Sequence, residues 1–205
     1  MKKSQFINFS MPEYWEKSYQ SGDMSWDLGR PTPIFDDWIQ YQTDSLSICV
    51  LGAGNGWDAM SFAEKGHNVT AVDFAESAIN NMHAFAQERG VQINLIHSDI
   101  FDLDKLFTHT FDVVLEYTCF CAIDPERRLD YVRITKQILK ANGKLVGIFF
   151  PVDKNIYTTY MLLWEAHRTN YGNISLLHYE YLGKSLLLII TCALGLKYFI
   201  KKMAG

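Results

Sequence analysis

Between Ser47 and Asp58 the chain reads Ser-Ile-Cys-Val-Leu-Gly-Ala-Gly-Asn-Gly-Trp-Asp. An apolar, β-prone run halts in three alternating glycines, and a helix-like pattern follows from Asp58 to Lys65. That order predicts a strand, a tight turn and a helix start. Glycine suits such a turn because it tolerates φ > 0 and lets a ligand approach bare backbone. The next strand, Asn68 to Val72, ends on Asp73, about twenty residues past Gly52. An acid at that distance, at the carboxyl end of a second strand, can accept both hydroxyls of a ribose. The plain alternative is an ordinary βα turn. The two features together predict a nucleoside-containing ligand across the crest of an open α/β sheet.

The spacing of the glycines narrows the ligand. A dinucleotide fingerprint needs G-x-G-x-x-G, and its third glycine position is held here by Trp57. A bulky indole fits poorly where a helix must approach a pyrophosphate. The pattern at Gly52, Gly54 and Gly56 suits a ligand without phosphates, whose amino-acid part lies against the turn. S-adenosylmethionine is such a ligand. A nicotinamide-dependent oxidoreductase is the rival reading, and Trp57 weighs against it.

The remaining pattern alternates. Strands are predicted at 47–51, 68–73, 92–97, 111–117 and 143–150, and helices at 57–66, 76–89 and 126–141. Alternation implies a parallel sheet with right-handed crossovers and ligands outside the carboxyl ends of the strands. Those ends carry Gly52, Asp73, Ser98-Asp99 and Glu116-Tyr117, all expected on one crest. Asp99 and Asp102 could simply start a turn. The favoured reading puts Asp99 at the adenine amino group with Ile100 packed on the ring. Two further helices are predicted ahead of the sheet, at 12–19 and 34–41, joined by a loop rich in turn formers. Trp15 and Trp26 in this leading segment could be packing residues. They could also present an electron-rich face to a sulfonium. After the fourth strand, a loop from Thr118 leads to a helix start at Asp124-Pro125-Glu126. Arg127 and Arg128 there are either solvated charges or, for one of them, an orienting contact for an anionic substrate.

The chain has 205 residues and a formal net charge of −4. That length predicts one domain, and that charge argues against a nucleic-acid binder. No secretory leader is expected from the residues at the chain's start. Cys49, Cys119, Cys121 and Cys192 show no C-x-x-C spacing, which points to reduced thiols, a cytoplasmic protein and no metal site. The expected partner is a small molecule bound by a monomer, with no nucleic acid or membrane.

The ordered set of motifs resembles the thiopurine S-methyltransferase family, and within it the plant thiol, thiocyanate and halide methyltransferase branch. The features are Trp15-Glu16, Trp26 to Arg30 with Thr32-Pro33, Leu51 to Asp58, Val72 to Ile79, Phe111-Asp112, Glu116-Tyr117 and Phe120 to Glu126. They cover roughly residues 13 to 152. Leu51 and Ala53 stand where the family usually has Pro and Cys, and Tyr19 where the plant branch has another Trp. The resemblance implies a Rossmann-like class I methyltransferase sheet with helices on both faces and an N-terminal helical cap. It implies S-adenosylmethionine contacts at Trp15, Tyr19, Trp26, Gly52, Gly54, Asp73, Asp99, Ile100 and Tyr117. Arg128 falls on the family's arginine and would be a substrate-side residue. No catalytic side chain is implied. The sulfonium is already activated, and a thiolate or soft anion needs no general base.

The expected layout is a cap over 1–45, a cofactor-binding core over 46–153 and a divergent segment over 154–205. Beyond Asp153 only two acids remain, Glu165 and Glu180, against six Lys or Arg. The family's Gly-Gly-Pro-Pro-Tyr loop, helix and closing hairpin find no counterpart in this stretch. The apolar run Leu186 to Leu196 is too short for a comfortable membrane span. A divergent pair of edge strands, a core helix, a shifted reading frame, and a non-catalytic, membrane-associated remnant are the alternatives.

Overall fold

The computed structural model describes residues 11–149 and the backbones of 174–182 and 185–192. Residues 1–10 lie outside them. A parallel core is built from β1 (Ser47–Leu51), β2 (Asn68–Asp73), β3 (Asn94–His97), β4 (Phe111–Tyr117) and β5 (Leu139–Phe149). Two more strands, β6 (Ile174–Leu182) and β7 (Ser185–Cys192), complete one sheet of order β3-β2-β1-β4-β5-β7-β6. β7 runs antiparallel to both β5 and β6.

Helices cover both faces, and strand periodicity explains how. Side chains alternate across a strand, so Ile48 and Val50 of β1 pack on one side while Cys49 and Leu51 pack on the other. The first face is covered by α2 (Pro33–Gln40), α3 (Trp57–Glu64) and α4 (Glu76–Arg89), through Phe35, Ile39, Phe62 and Met82. The second is covered by α6 (Arg128–Ile138) and a 3-10 helix over Ile100–Lys105, through Tyr131, Ile134, Ile138 and Leu103. Each such fully buried side chain stabilises the fold by about 1.5–3 kcal/mol.

The first helix, α1 (Pro12–Ser21), begins with Pro at its first turn and ends at Gly22 in the left-handed conformation (φ 73°). The expected helix over 126–141 is shorter. A 3-10 turn occupies Pro125–Arg127, α6 stops at Ile138, and Leu139 is already extended. The strand thus starts earlier than its sequence suggests, and its pairing with β4 is interrupted near its start. Register with β4 jumps there, from Phe111 opposite Leu139 to Val113 opposite Lys144.

In the segment beyond Asp153 the described backbone takes one of the alternatives left open, a pair of strands. Its sequence shows no family pattern, yet its backbone forms a closing antiparallel hairpin, and residues 185–192 are strand rather than core helix. β7 is paired along both edges. An unbroken apolar run suits such an interior strand. The stretch 193–196 lies outside the described residues. Among the described residues no helix is long and apolar enough to cross a membrane.

Candidate functional site

A cavity of about 510 Å³ opens over the carboxyl ends of β1, β2 and β4. Trp15, Tyr19, Trp26, Gly52, Gly54, Asp73, Asp99, Ile100 and Tyr117 all line it. Sequence reasoning had named these nine, and the fold brings them together from six separate segments. A wider recess of about 730 Å³ lies at the opposite ends of the strands, around Ser47, Asn68 and Asn94, away from every one of them.

The glycine turn forms the floor. Gly52 and Gly54 both have positive φ, 57° and 58°. A Cβ at Gly54 would stand 3.2 Å from the Tyr19 hydroxyl, and one at Gly52 would stand 3.0 Å from Cys119 Sγ. Any other residue would therefore be strained and would fill the cradle. Asp73 is nearly buried. Its carboxylate accepts from Gly54 N–H at 2.9 Å and from Ala75 N–H at 2.9 Å. One carboxylate so fixes the shape of both crest turns, and each oxygen keeps lone-pair capacity for a further donor. Burial pushes Asp73 up to about 6, against the lowering effect of these backbone donors.

The lid comes from the leading segment. Trp15 and Trp26 meet edge to face with centroids 4.9 Å apart, and Tyr19 meets Trp26 at 5.9 Å. Two carboxylates pin this aromatic group to the sheet crest. Asp27 accepts from Trp57 Nε1 at 2.7 Å and from the Asn55 amide, both in the β1–α3 turn. Glu16 accepts from the Ser77 backbone N–H at 3.0 Å and from its hydroxyl, in the first turn of α4. An acid at a helix N-terminus also meets the favourable end of the helix dipole. Neither Glu16 nor Asp27 had been singled out for this. Their one signal is position, each following a lid tryptophan. Trp57, read only as a missing glycine, turns out to anchor the lid.

One assignment changes. Glu116, expected on the crest, points inward. It is 1% exposed, and it accepts from Phe120 N–H at 2.8 Å and from the Tyr131 hydroxyl at 2.9 Å. It holds the short helix α5 (Cys119–Ala122), whose Cys119, Cys121 and Ala122 line the cavity. Burial pushes Glu116 up to about 7. Burial and the nearby Glu116 and Asp73 also push the Cys119 thiol up, which makes it a neutral wall rather than a nucleophile. Of the two arginines, Arg127 lines the cavity. Arg128 is buried with its guanidinium over the Phe120 ring, 5.3 Å from the centroid. Asp99 starts a turn, as one of its readings expects, and also stands at the cavity. Its side chain caps the 3-10 helix, accepting from Phe101 N–H at 3.0 Å, and it lines the cavity.

Comparison with known proteins adds the lineage. Residues 10–155 match the model of the thiopurine S-methyltransferase family. Probable thiol methyltransferase 2 of Arabidopsis thaliana is 30% identical over 145 residues, covering 68% of this chain and 62% of that protein. The ubiquinone biosynthesis O-methyltransferase of Rickettsia conorii is 36% identical over 157 residues, covering 72% of this chain and 53% of that protein. The chain thus spans between half and two thirds of these relatives' lengths. The crystal structure of Burkholderia thailandensis 1,6-didemethyltoxoflavin-N1-methyltransferase, solved with S-adenosylhomocysteine, superposes with a TM-score of 0.74 at 19% identity. It covers 94% of this chain and 93% of that one, so the shared fold reaches past the family match into the closing hairpin.

Proposed function

This chain belongs to the thiopurine S-methyltransferase family, and from that premise we propose that it transfers a methyl group from S-adenosylmethionine to a small soft nucleophile. Thiols, thiopurines, thiocyanate and halides are the acceptor class. One observation carries the reading: nine residues drawn from six segments converge on a single cavity between an indole lid and a bare glycine turn. Its volume of about 510 Å³ lies within the roughly 300–1,000 Å³ usual for small-molecule sites.

When bound, the donor supplies a methyl already activated on a sulfonium. The residues of the chain do the rest. Asp73 accepts from the ribose hydroxyls, and Gly52 and Gly54 leave room for the amino-acid part. Asp99 accepts from the adenine amino group, and Ile100 packs on the ring. Trp15 and Trp26 offer π faces to the positive sulfur and exclude water. Tyr19 closes the same lid over Gly54, its phenol held neutral by burial and by the Asp73 charge. Tyr117 supports the donor from β4. Arg128 remains the candidate substrate-side residue by resemblance, and its place over Phe120 puts any effect on the acceptor behind the α5 wall. No side chain is assigned as a general base, because a thiol near pKa 8.5 already offers a few per cent thiolate at neutral pH.

The cysteine usage favours a cytoplasmic protein. The nicotinamide reading falls with family membership. The remnant reading predicts donor binding without turnover. Calorimetry with S-adenosylmethionine, followed by mass spectrometry over thiols and soft anions, tests the proposal. Micromolar donor binding with a methylated product supports it. A protein that ignores millimolar donor overturns it.

A further inference from the structure

Arg127 has no role in the reading above, yet it stands at the cavity mouth with two contacts to one wall. Its guanidinium carbon lies 3.6 Å from the centroid of the Phe101 ring. Its Nη1 lies 3.7 Å from Asp99 Oδ2. The other Asp99 oxygen accepts from Phe101 N–H. One oxygen of that carboxylate is held by its own helix start, and the other faces, at ion-pair distance, an arginine from the 3-10 turn before α6. Asp99, Ile100 and Phe101 are consecutive cavity residues, and Arg127 holds the first and the third.

Stability alone does not account for this pair. The two side chains are 42% and 39% exposed, and ion pairs at that exposure contribute about 0–1 kcal/mol to folding. A planar guanidinium can stack and pair at once, which an ammonium cannot. We propose that Arg127 is a positioning residue that fixes Asp99 and Phe101 for adenine, and so sets the preference for an amino-purine. This rests on the reading of the cavity as a donor site. Asp99 is the group that touches the base, and Arg127 acts through it.

The test uses two probes on the whole chain, S-adenosylhomocysteine and its deaminated analogue S-inosylhomocysteine, which lacks the amino donor. The unaltered chain is expected to prefer the amino-purine by about tenfold or more, the worth of one hydrogen bond to a charged group. Arg127→Gln should weaken S-adenosylhomocysteine about tenfold and bring the preference near unity. Arg127→Lys should fall between, keeping charge but losing the flat stack. In an Asp99→Asn background, Arg127→Gln should add little. A preference ratio that survives Arg127→Gln overturns the assignment, even if both probes bind more weakly, since a purely structural role would weaken both alike. An unaltered chain that binds neither probe overturns the donor-site reading and this inference together. Tight binding with identical ratios in all variants overturns the role of Arg127 alone.

Discussion

The turns after β2 and after β4 flank the same central strand, and each carries an acid at its strand's carboxyl end. Asp73 and Glu116 are both buried, and both are pushed up by burial, to about 6 and about 7. Yet they serve opposite sides. Asp73 faces the cavity and spends one bond on the glycine turn beside it. Glu116 faces the core and spends its bonds on the helix that walls the cavity from behind. Side-chain alternation contributes, since neighbouring positions on a strand point to opposite faces. Tyr117, one residue later, reaches the cavity that Glu116 does not. A carboxylate at a crest is thus a ligand contact or a brace, and its hydrogen-bond partners decide which.

The strongest way to break this contrast is at Asp73. Asp73→Ala removes the proposed acceptor for two ribose hydroxyls and loosens Gly54. A loss of about a hundredfold in S-adenosylmethionine affinity is expected, from charge-assisted bonds of about 1.5–3 kcal/mol each. Calorimetry reads it directly. The same carboxylate gives a pH signature. Binding needs the ionised form, so affinity should fall as pH drops through about 6, by up to roughly tenfold per unit below that. Affinity that is flat from pH 8 to pH 5 would remove Asp73 from the site.

A smaller effect is expected from the lid. Trp26→Ala takes away one face of the edge-to-face pair with Trp15 and the partner of Tyr19. Donor affinity should drop by tenfold or more, consistent with a desolvated cation–π contact of about 2 kcal/mol. Unchanged affinity would show that the indoles merely pack.

How much of this was legible in the sequence follows from what each residue depends on. The glycine turn and Asp73 lie within one βα unit, so local spacing revealed them. The alternation of strands with helices from β1 to β4 was equally local, and the parallel core came with it. The role of Glu116 was not legible. Its partner Tyr131 comes from the next helix, and only the folded geometry turns the carboxylate inward. The same holds for Asp27, which meets Trp57 from thirty residues away. The resemblance singled out Arg128, but only the fold shows that Arg127 stacks on Phe101 at the cavity while Arg128 lies over Phe120. The strand pair β6–β7 stayed one alternative among several because β7 is a nearly unbroken apolar run, which periodicity cannot tell from a helix.

The smallest effect on binding, and the sharpest test of the contrast, is Glu116→Gln. Gln keeps the shape, and the Tyr131 hydroxyl can rotate to accept from the amide. Donor affinity should change less than about twofold, since Glu116 is absent from the cavity lining. Stability should change in its pH dependence instead. Glu116 holds its proton more tightly in the folded chain, rising from an ordinary 4.5 to about 7. The folded state therefore binds more protons than the unfolded state between those values, and stability falls as pH rises through the window. Asp73 and Asp58, each pushed from 3.8 to about 6, act with the same sign over a lower window. Glu116→Gln removes only the upper part. Its Tm should decline less between pH 5 and pH 8 than that of the unaltered chain. The difference is on the order of a few kcal/mol at most, or roughly several degrees for a chain of this size. Thermal melts across pH read it without any ligand. Parallel pH slopes in the two proteins would mean that Glu116 is not the buried brace described, and the division of labour between the two crest turns would fail with it.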